Sequence, residues 1–110
     1  MERFVVGDIV VALFPFSDLK GQKLRPALVL AKAEFKNLII CQITSKSYSS
    51  KMAVKLIRED FASGTLPITS YIRPDKLFTI DSSIIQKISG KLTIKKQRVI
   101  SQTLQKMFAV

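Results

Sequence analysis

Two apolar segments on either side of a short polar one decide the fold: Arg25-Pro26-Ala27-Leu28-Val29-Leu30-Ala31 and Asn37-Leu38-Ile39-Ile40-Cys41-Gln42-Ile43-Thr44. Both are short, aliphatic and rich in β-branched residues, which reads as buried strand. Pro26 is tolerable because it sits at the entrance of its strand. If the two strands pair antiparallel, the entrance of one lies beside the exit of the other. Arg25 and Thr44 then become neighbours at one rim of the sheet. An arginine fork beside a hydroxyl clamps a phosphate, or equally caps two strand ends, and the local residues leave both readings open.

Strand signals continue on both sides. Ile9 to Phe14 is nearly continuous apolar sequence, preceded by Gly7-Asp8 and closed by Pro15. A polar stretch from Ser17 to Lys23 follows, with Gly21 as its turn point. Downstream, residues 45–51 are Ser-, Lys- and Tyr-rich and read as a mobile loop. Met52 to Ile57 gives a further strand, Gly64 and Pro67 punctuate a loop, and Ser70 to Ile80 supplies one or two short strands around Pro74. After Asp81 the pattern changes. Ser82 to Ser89 reads as a short helix stopped by Gly90, and Thr93 as the N-cap of a longer helix ending near Phe108. Ile100, Leu104 and Met107, with Val99 and Phe108 alongside, form its core-facing stripe, opposite Lys95, Arg98, Gln102 and Lys106. The expected architecture is mainly β (α+β), a small, strongly bent barrel of short antiparallel strands with a C-terminal helix, in a single domain over residues 1–110.

Composition narrows the chemistry. At 110 residues the chain holds one core, large enough to fold without disulfide or metal staples. Cys41 is the single cysteine and there is no histidine, which removes an intrachain disulfide, imidazole catalysis and a histidine switch. No CxxC, HExxH, carboxylate cluster or glycine-rich phosphate loop occurs, so no metal and no cofactor is expected. The apolar run from Phe4 to Phe16 resembles a signal-peptide core, but Asp8 interrupts it and no cleavage site follows. It falls short of the ~20 apolar residues of a membrane helix, so a cytoplasmic protein with no membrane partner is expected. A mean hydropathy of +0.23 in so small and charged a chain points to apolar surface covered by a second copy, a homodimer.

The net charge of +10 favours a polyanionic partner. All eight acids lie at or before Asp81, so the cationic tail looks uncompensated, although its helix lysines alone read as an ordinary solvated face. Arg73-Pro74-Asp75 places a guanidinium and a carboxylate on one face of an extended segment, a local salt bridge if taken alone. Tyr48, between Ser47 and Ser49, is a candidate for stacking on a base, whereas Phe14 and Phe16 read as core. Cys41 reads as inert core.

In order along the chain, Gly7-Asp8-Ile9-Val10, Phe14-Pro15-Phe16, Arg25-Pro26-Ala27-Leu28-Val29-Leu30 and Ile43-Thr44-Ser45 resemble the MazF/PemK-like toxins of type II toxin–antitoxin systems. Ser70 to Leu77, Thr79-Ile80-Asp81 and Gly90-Lys91-Leu92 extend that resemblance over nearly the whole chain. It implies an SH3-like barrel with a C-terminal helix, assembled as a homodimer. The implied activity is metal-independent endoribonuclease cleavage of single-stranded RNA, often mRNA, blocked by a cognate acidic antitoxin protein. By the same resemblance Arg25 matches the strand-entrance arginine, Thr44 or Ser45 the catalytic hydroxyl, and Arg73 with Asp75 the acid–base pair. The loop before Arg25 departs from the family, with neither Glu nor His, so the contacts those residues make have no counterpart here. Lys20 and Lys23 would hold the RNA backbone in their place, with Ser45, Lys46 and Tyr48 from the second loop. Two other readings compete: a non-catalytic gyrase poison of the same fold, and a plain nucleic-acid-binding module.

Overall fold

The computed structural model describes residues 4–14, 23–47 and 50–110. Alternation along the strands sorts the aliphatic residues into two faces. Val10, Ala12 and Phe14 of β1 (Asp8–Phe14), Ala27 and Val29 of β2 (Lys23–Lys32) and Leu38 and Ile40 of β3 (Asn37–Thr44) make one core, together with Ile80 and Ile85. Their neighbours Ile9, Leu28, Cys41 and Ile43 make the other, with Ile72, Leu92 and Ile100. The remaining elements are β4 (Val54–Leu56), β5 (Phe61–Gly64), β6 (Ser70–Asp81), β7 (Ile85–Leu92) and α1 (Ile94–Met107), with 3₁₀ turns at Arg58–Asp60 and Ser82–Ile84. All pairings are antiparallel, and the order β4-β6-β3-β2-β1-β7-β5 makes a seven-stranded half-barrel closed off by the helix. This is the expected class of fold.

The β2–β3 pair forms as expected, with Ala27 opposite Gln42 and Leu28 opposite Cys41. Its turn carries no glycine. Phe35 and Lys36 take φ of 59° and 65°, and the Asn37 amide donates to the Glu34 carbonyl at 3.1 Å, a type I′ turn that nothing in the sequence signalled. β2 begins earlier than expected, at Lys23, so Pro26 lies within the strand rather than at its entrance. It is accommodated because the β3 ladder starts only at Ala27, leaving β1 as its one paired neighbour.

The expected helix over 82–89 is replaced by the 3₁₀ turn and β7, and Gly90 lies inside that strand rather than ending a helix. Sheet pairing overrides the local reading: β7 closes the free edge of β1, setting Ile85 against Ala12 and Ile88 against Val10. Gly90 permits the approach of β5, since a Cβ there would sit 2.6 Å from the Ser63 carbonyl oxygen. The long helix falls where its cap predicts, with Thr93 Oγ1 accepting the Lys96 amide at 3.1 Å. Its buried stripe is narrower than expected. Ile100 is buried and Leu104 packs beside it, whereas Val99 and Phe108 are exposed. Among the described residues no helix is long and apolar enough to cross a membrane.

Ile100 fills the core beneath the helix and Val99, its neighbour in sequence, does not. Ile100→Ala should therefore cost about 2–5 kcal/mol in urea unfolding. Val99→Ala should stay within about 0.5 kcal/mol. Equal losses would mean that the helix sits on the sheet by a different face.

Candidate active site

β3 and β6 pair residue by residue from Asn37–Asp81 to Cys41–Leu77, and again from Gln42–Arg73 to Thr44–Tyr71. Between these two runs β3 advances one residue and β6 advances four, so Pro74, Asp75 and Lys76 bulge out of the ladder. Proline has no N–H to give to a ladder, and Pro74 is buried where the strand buckles. A bulge bends its strand and re-aims side chains. What the sequence presented as one or two short strands is thus a single twelve-residue strand broken in its pairing at Pro74.

The Arg73–Asp75 pair lies at this bulge. Arg73 donates from Nε to Asp75 Oδ1 at 3.3 Å and from Nη2 to Oδ2 at 2.7 Å, a two-point fork. Ser50 Oγ donates to the same Oδ2 at 3.2 Å and is itself held by the Met52 amide at 3.0 Å. The Arg73 guanidinium, with help from Ser50, holds the Asp75 carboxyl below its usual 3.8. In return the carboxylate pushes the arginine's pKa up, which makes it a still poorer proton donor. The sequence marked the arginine and the aspartate but missed Ser50, whose contact is made 25 residues away and had no signal beyond a serine-rich loop.

Register places the other candidates at the same end of the sheet. Ala27, Gln42 and Arg73 form one row across β2, β3 and β6. Further toward that end Thr44 pairs with Tyr71, and Arg25, paired with Ala12 on β1, stands two residues before the first β2–β3 pair. This is the rim face opposite Cys41, Ile43 and Ile72. Thr44 Oγ1 accepts the Lys46 amide at 3.2 Å, and Ser45 and Lys46 follow as exposed residues. Lys23 is exposed at the start of β2, beside Phe14 on β1. Lys20 and Tyr48, like Phe16 and the rest of the loop before Lys23, lie outside the described residues. Phe14 is core, its ring centroid 5.8 Å from that of Phe78. Cys41 is buried, and burial, reinforced by the Asp75 charge, pushes its thiol up to about 12, which leaves it protonated and inert.

The charge reading needs one correction. The cations after Asp81 are not all uncompensated, because Lys91 Nζ lies 3.7 Å from Asp8 and Lys96 Nζ 3.2 Å from Asp60. Folding brings earlier acids to the tail. Two cavities lie away from these residues, one of about 280 Å³ between α1 and β2 and one of about 470 Å³ around Leu56, Phe61 and Ile68. The candidate residues themselves offer cations, hydroxyls and one carboxylate, a donor set suited to an anionic chain.

Solved structures share this fold. An endoribonuclease in complex with its cognate antitoxin, from a Mycobacterial species, superposes with a TM-score of 0.72 at 16% identity, over 100% of this chain and 97% of that one. The Mycobacterium tuberculosis toxin MazF-mt6 matches with 0.72 at 20% identity, over 94% of this chain and 97% of its own. MazE–MazF from Deinococcus radiodurans matches with 0.74 at 19% identity, over 96% and 95%. At these identities the likeness is one of fold. A search of curated proteins finds no significant relative. The sequence itself matches the model of the PemK-like, MazF-like toxins of type II toxin–antitoxin systems over residues 6–108, and with nearly its full length so matched the chain belongs to that family.

Proposed function

We propose that the protein is a metal-independent endoribonuclease toxin that cleaves single-stranded RNA, including mRNA, at the rim formed by Arg25, Thr44, Arg73 and Asp75. The observation that carries this reading is the bulge at Pro74, which holds a carboxylate and a guanidinium together beside the ends of β2 and β3. The names of the mycobacterial endoribonuclease structures support it.

In the proposed reaction Asp75 removes the proton of a ribose 2′-hydroxyl. The 2′-oxygen then forms a bond to the adjacent phosphorus, and the bond to the 5′-oxygen breaks, that oxygen leaving with a proton from solvent. The products are a 2′,3′-cyclic phosphate and a 5′-hydroxyl. Arg25 and Arg73 offset the charge gathered on the phosphorane, and Thr44 orients the phosphate. A carboxylate with a depressed pKa is a weak base, so positioning must supply most of the rate. The fork contributes to this. When Arg73 turns its hydrogen bonds to the phosphate, Asp75 loses the main cause of its depressed pKa and becomes more basic as the proton moves. The guanidinium groups supply the positive charge that a bound ion supplies in other nucleases.

An unstacked strand fits this rim, because the deep major groove of A-form RNA excludes side chains. Lys20, Lys23, Ser45, Lys46 and Tyr48 are assigned to hold the flanking nucleotides. A homodimer would cover exposed apolar side chains such as Ile88 and Ile94, and a cognate acidic antitoxin would compete with RNA for the same cations in the cytoplasm.

Purified protein should cut single-stranded RNA in excess EDTA. Arg25→Ala and Asp75→Ala should each lower the rate by roughly 10²–10³-fold, and mapped fragments should carry cyclic phosphate and 5′-hydroxyl ends. Fragments with 5′-phosphates would rule out attack by the 2′-oxygen, and uncut RNA would return the reading to a non-catalytic toxin.

The pH dependence follows from the sign of the Asp75 shift. Since its folded pKa lies below 3.8, the base form is complete at neutral pH and is lost only as pH falls through that lowered value. A profile of kcat/KM should therefore stay flat into the mildly acidic range. Arg73→Gln should move the acid limb upward as well as slowing cleavage. A limb that stays in place would show that Asp75 does not titrate as the base.

A further inference from the structure

β4 stands at one end of the sheet order, paired with β6 on one side and, among the described residues, with no strand on the other. An unpaired strand edge offers amides and carbonyls to an extended chain laid beside it. The cavity of about 470 Å³ adjoins this strand, lined by Leu56, Phe61 and Leu66 and by Ile57 and Ile68, which are 48% and 63% exposed. Lys55 and Arg58 add positive charge to its lining, and no carboxylate lines it. Among the described residues neither cation forms an ion pair. The walls are fixed from within. Asp60 accepts the Ile57 amide at 2.8 Å and meets Lys96 of α1 at 3.2 Å, while Ser70 Oγ donates to the Ile68 carbonyl at 2.8 Å.

Alternation restricts what fits. Lys55 is paired with Tyr71 and Leu56 with Ser70, so the cation and the apolar residue belong to opposite faces of the sheet. A strand added beside β4 would set every second side chain on the Lys55 face and the others on the Leu56 face. Acidic residues suit the first set and aliphatic residues the second. A nucleic-acid strand lacks the amides that continue a sheet, and these walls are chiefly aliphatic rather than aromatic. A lysine on an edge strand also guards against aggregation, but that role requires neither Arg58 nor a cavity. We propose that β4 and this cavity dock an extended segment of another protein in which acidic and aliphatic residues alternate, its backbone extending the sheet and its carboxylates meeting Lys55 and Arg58. This goes beyond the competition for the rim cations proposed above, because the residues that take the segment are those of the cavity. Lys55 links the two places, since its partner Tyr71 also pairs with Thr44. The effect of docking on cleavage rests on the nuclease reading; the docking itself does not.

The probe is a fluorescein-labelled decapeptide of alternating Glu and Leu, titrated into the full chain at neutral pH and followed by anisotropy. A peptide of the same composition, with its glutamates and leucines in two blocks, keeps the charge and loses the alternation. The alternating peptide should bind at least about tenfold more tightly than the block peptide. Amide shifts in NMR spectra should centre on residues 54–58 and 65–70. Neither comparison needs a variant. Arg58→Glu and Ile68→Asp, both at exposed positions, should each weaken binding of the alternating peptide by about tenfold. No binding, equal binding of the two peptides, or shifts centred on Arg25 and Arg73 instead would overturn the inference, the last two being what plain polyanion attraction gives. The alternating peptide should also slow RNA cleavage by the unmodified protein more than by Arg58→Glu. A protein that cuts no RNA at all would end the nuclease reading, while anisotropy and shifts still decide the docking.

Discussion

Pro74 has no amide hydrogen, and the centre of the molecule is arranged around that fact. β6 pairs with β3 on either side of it and cannot pair through it, so three residues leave the ladder while both flanks keep their register. Asp75 lies in the bulge, outside the ladder, where its carboxylate meets Arg73 at 2.7 Å and Ser50 at 3.2 Å. The flanks tolerate the interruption because both are packed. Ile72 packs with Ile43 on one side and Leu77 with Cys41 on the other. The polar site is thus held by apolar contacts on the reverse face of the same strands, where a side chain's rotamer is locked by packing.

The Arg73–Asp75 fork is also a constraint on chemistry. Two groups that hold each other this closely are each less reactive than they would be alone: the carboxylate is less basic and the guanidinium less acidic. In the free protein the pair is at rest. Only a third party with its own negative charge can draw the arginine away and return basicity to the aspartate, and in the proposed reaction that party is the phosphate to be attacked. Partial exposure, 20% for the Arg73 side chain and 27% for Asp75, leaves the pair reachable by such a ligand. A fully buried pair would cost more to separate.

Much of this could be read from the chain before folding. β3 was legible residue for residue, because its mostly aliphatic, β-branched run closed by Thr44 reads as buried strand. The same holds for α1, where Thr93 and the spacing of Ile100 and Leu104 agree. The segment 82–92 was misread for a physical reason. Its serines and Gly90 carry helix-boundary signals, while the force that makes it a strand is the open edge of β1, some 75 residues earlier in sequence and invisible to any local window. The I′ turn at Phe35 and Lys36 was hidden because those side chains do not advertise a left-handed backbone. At the site, Arg73 and Asp75 were visible because their contact is local. Ser50 was not, because it acts through a loop closure.

Gln42 shows why burial and hydrogen bonding have to be read together. A polar residue in the middle of β3 is compatible with folding only if its cost is offset by the surrounding core, and Ile40, Cys41 and Ile43 are all buried beside it. The strand is therefore stable enough to carry one unsatisfied oxygen. An unpaired carbonyl gains nothing in hydrogen bonding while it stays sealed from water, so the strand carries it at the expense of the packing around it.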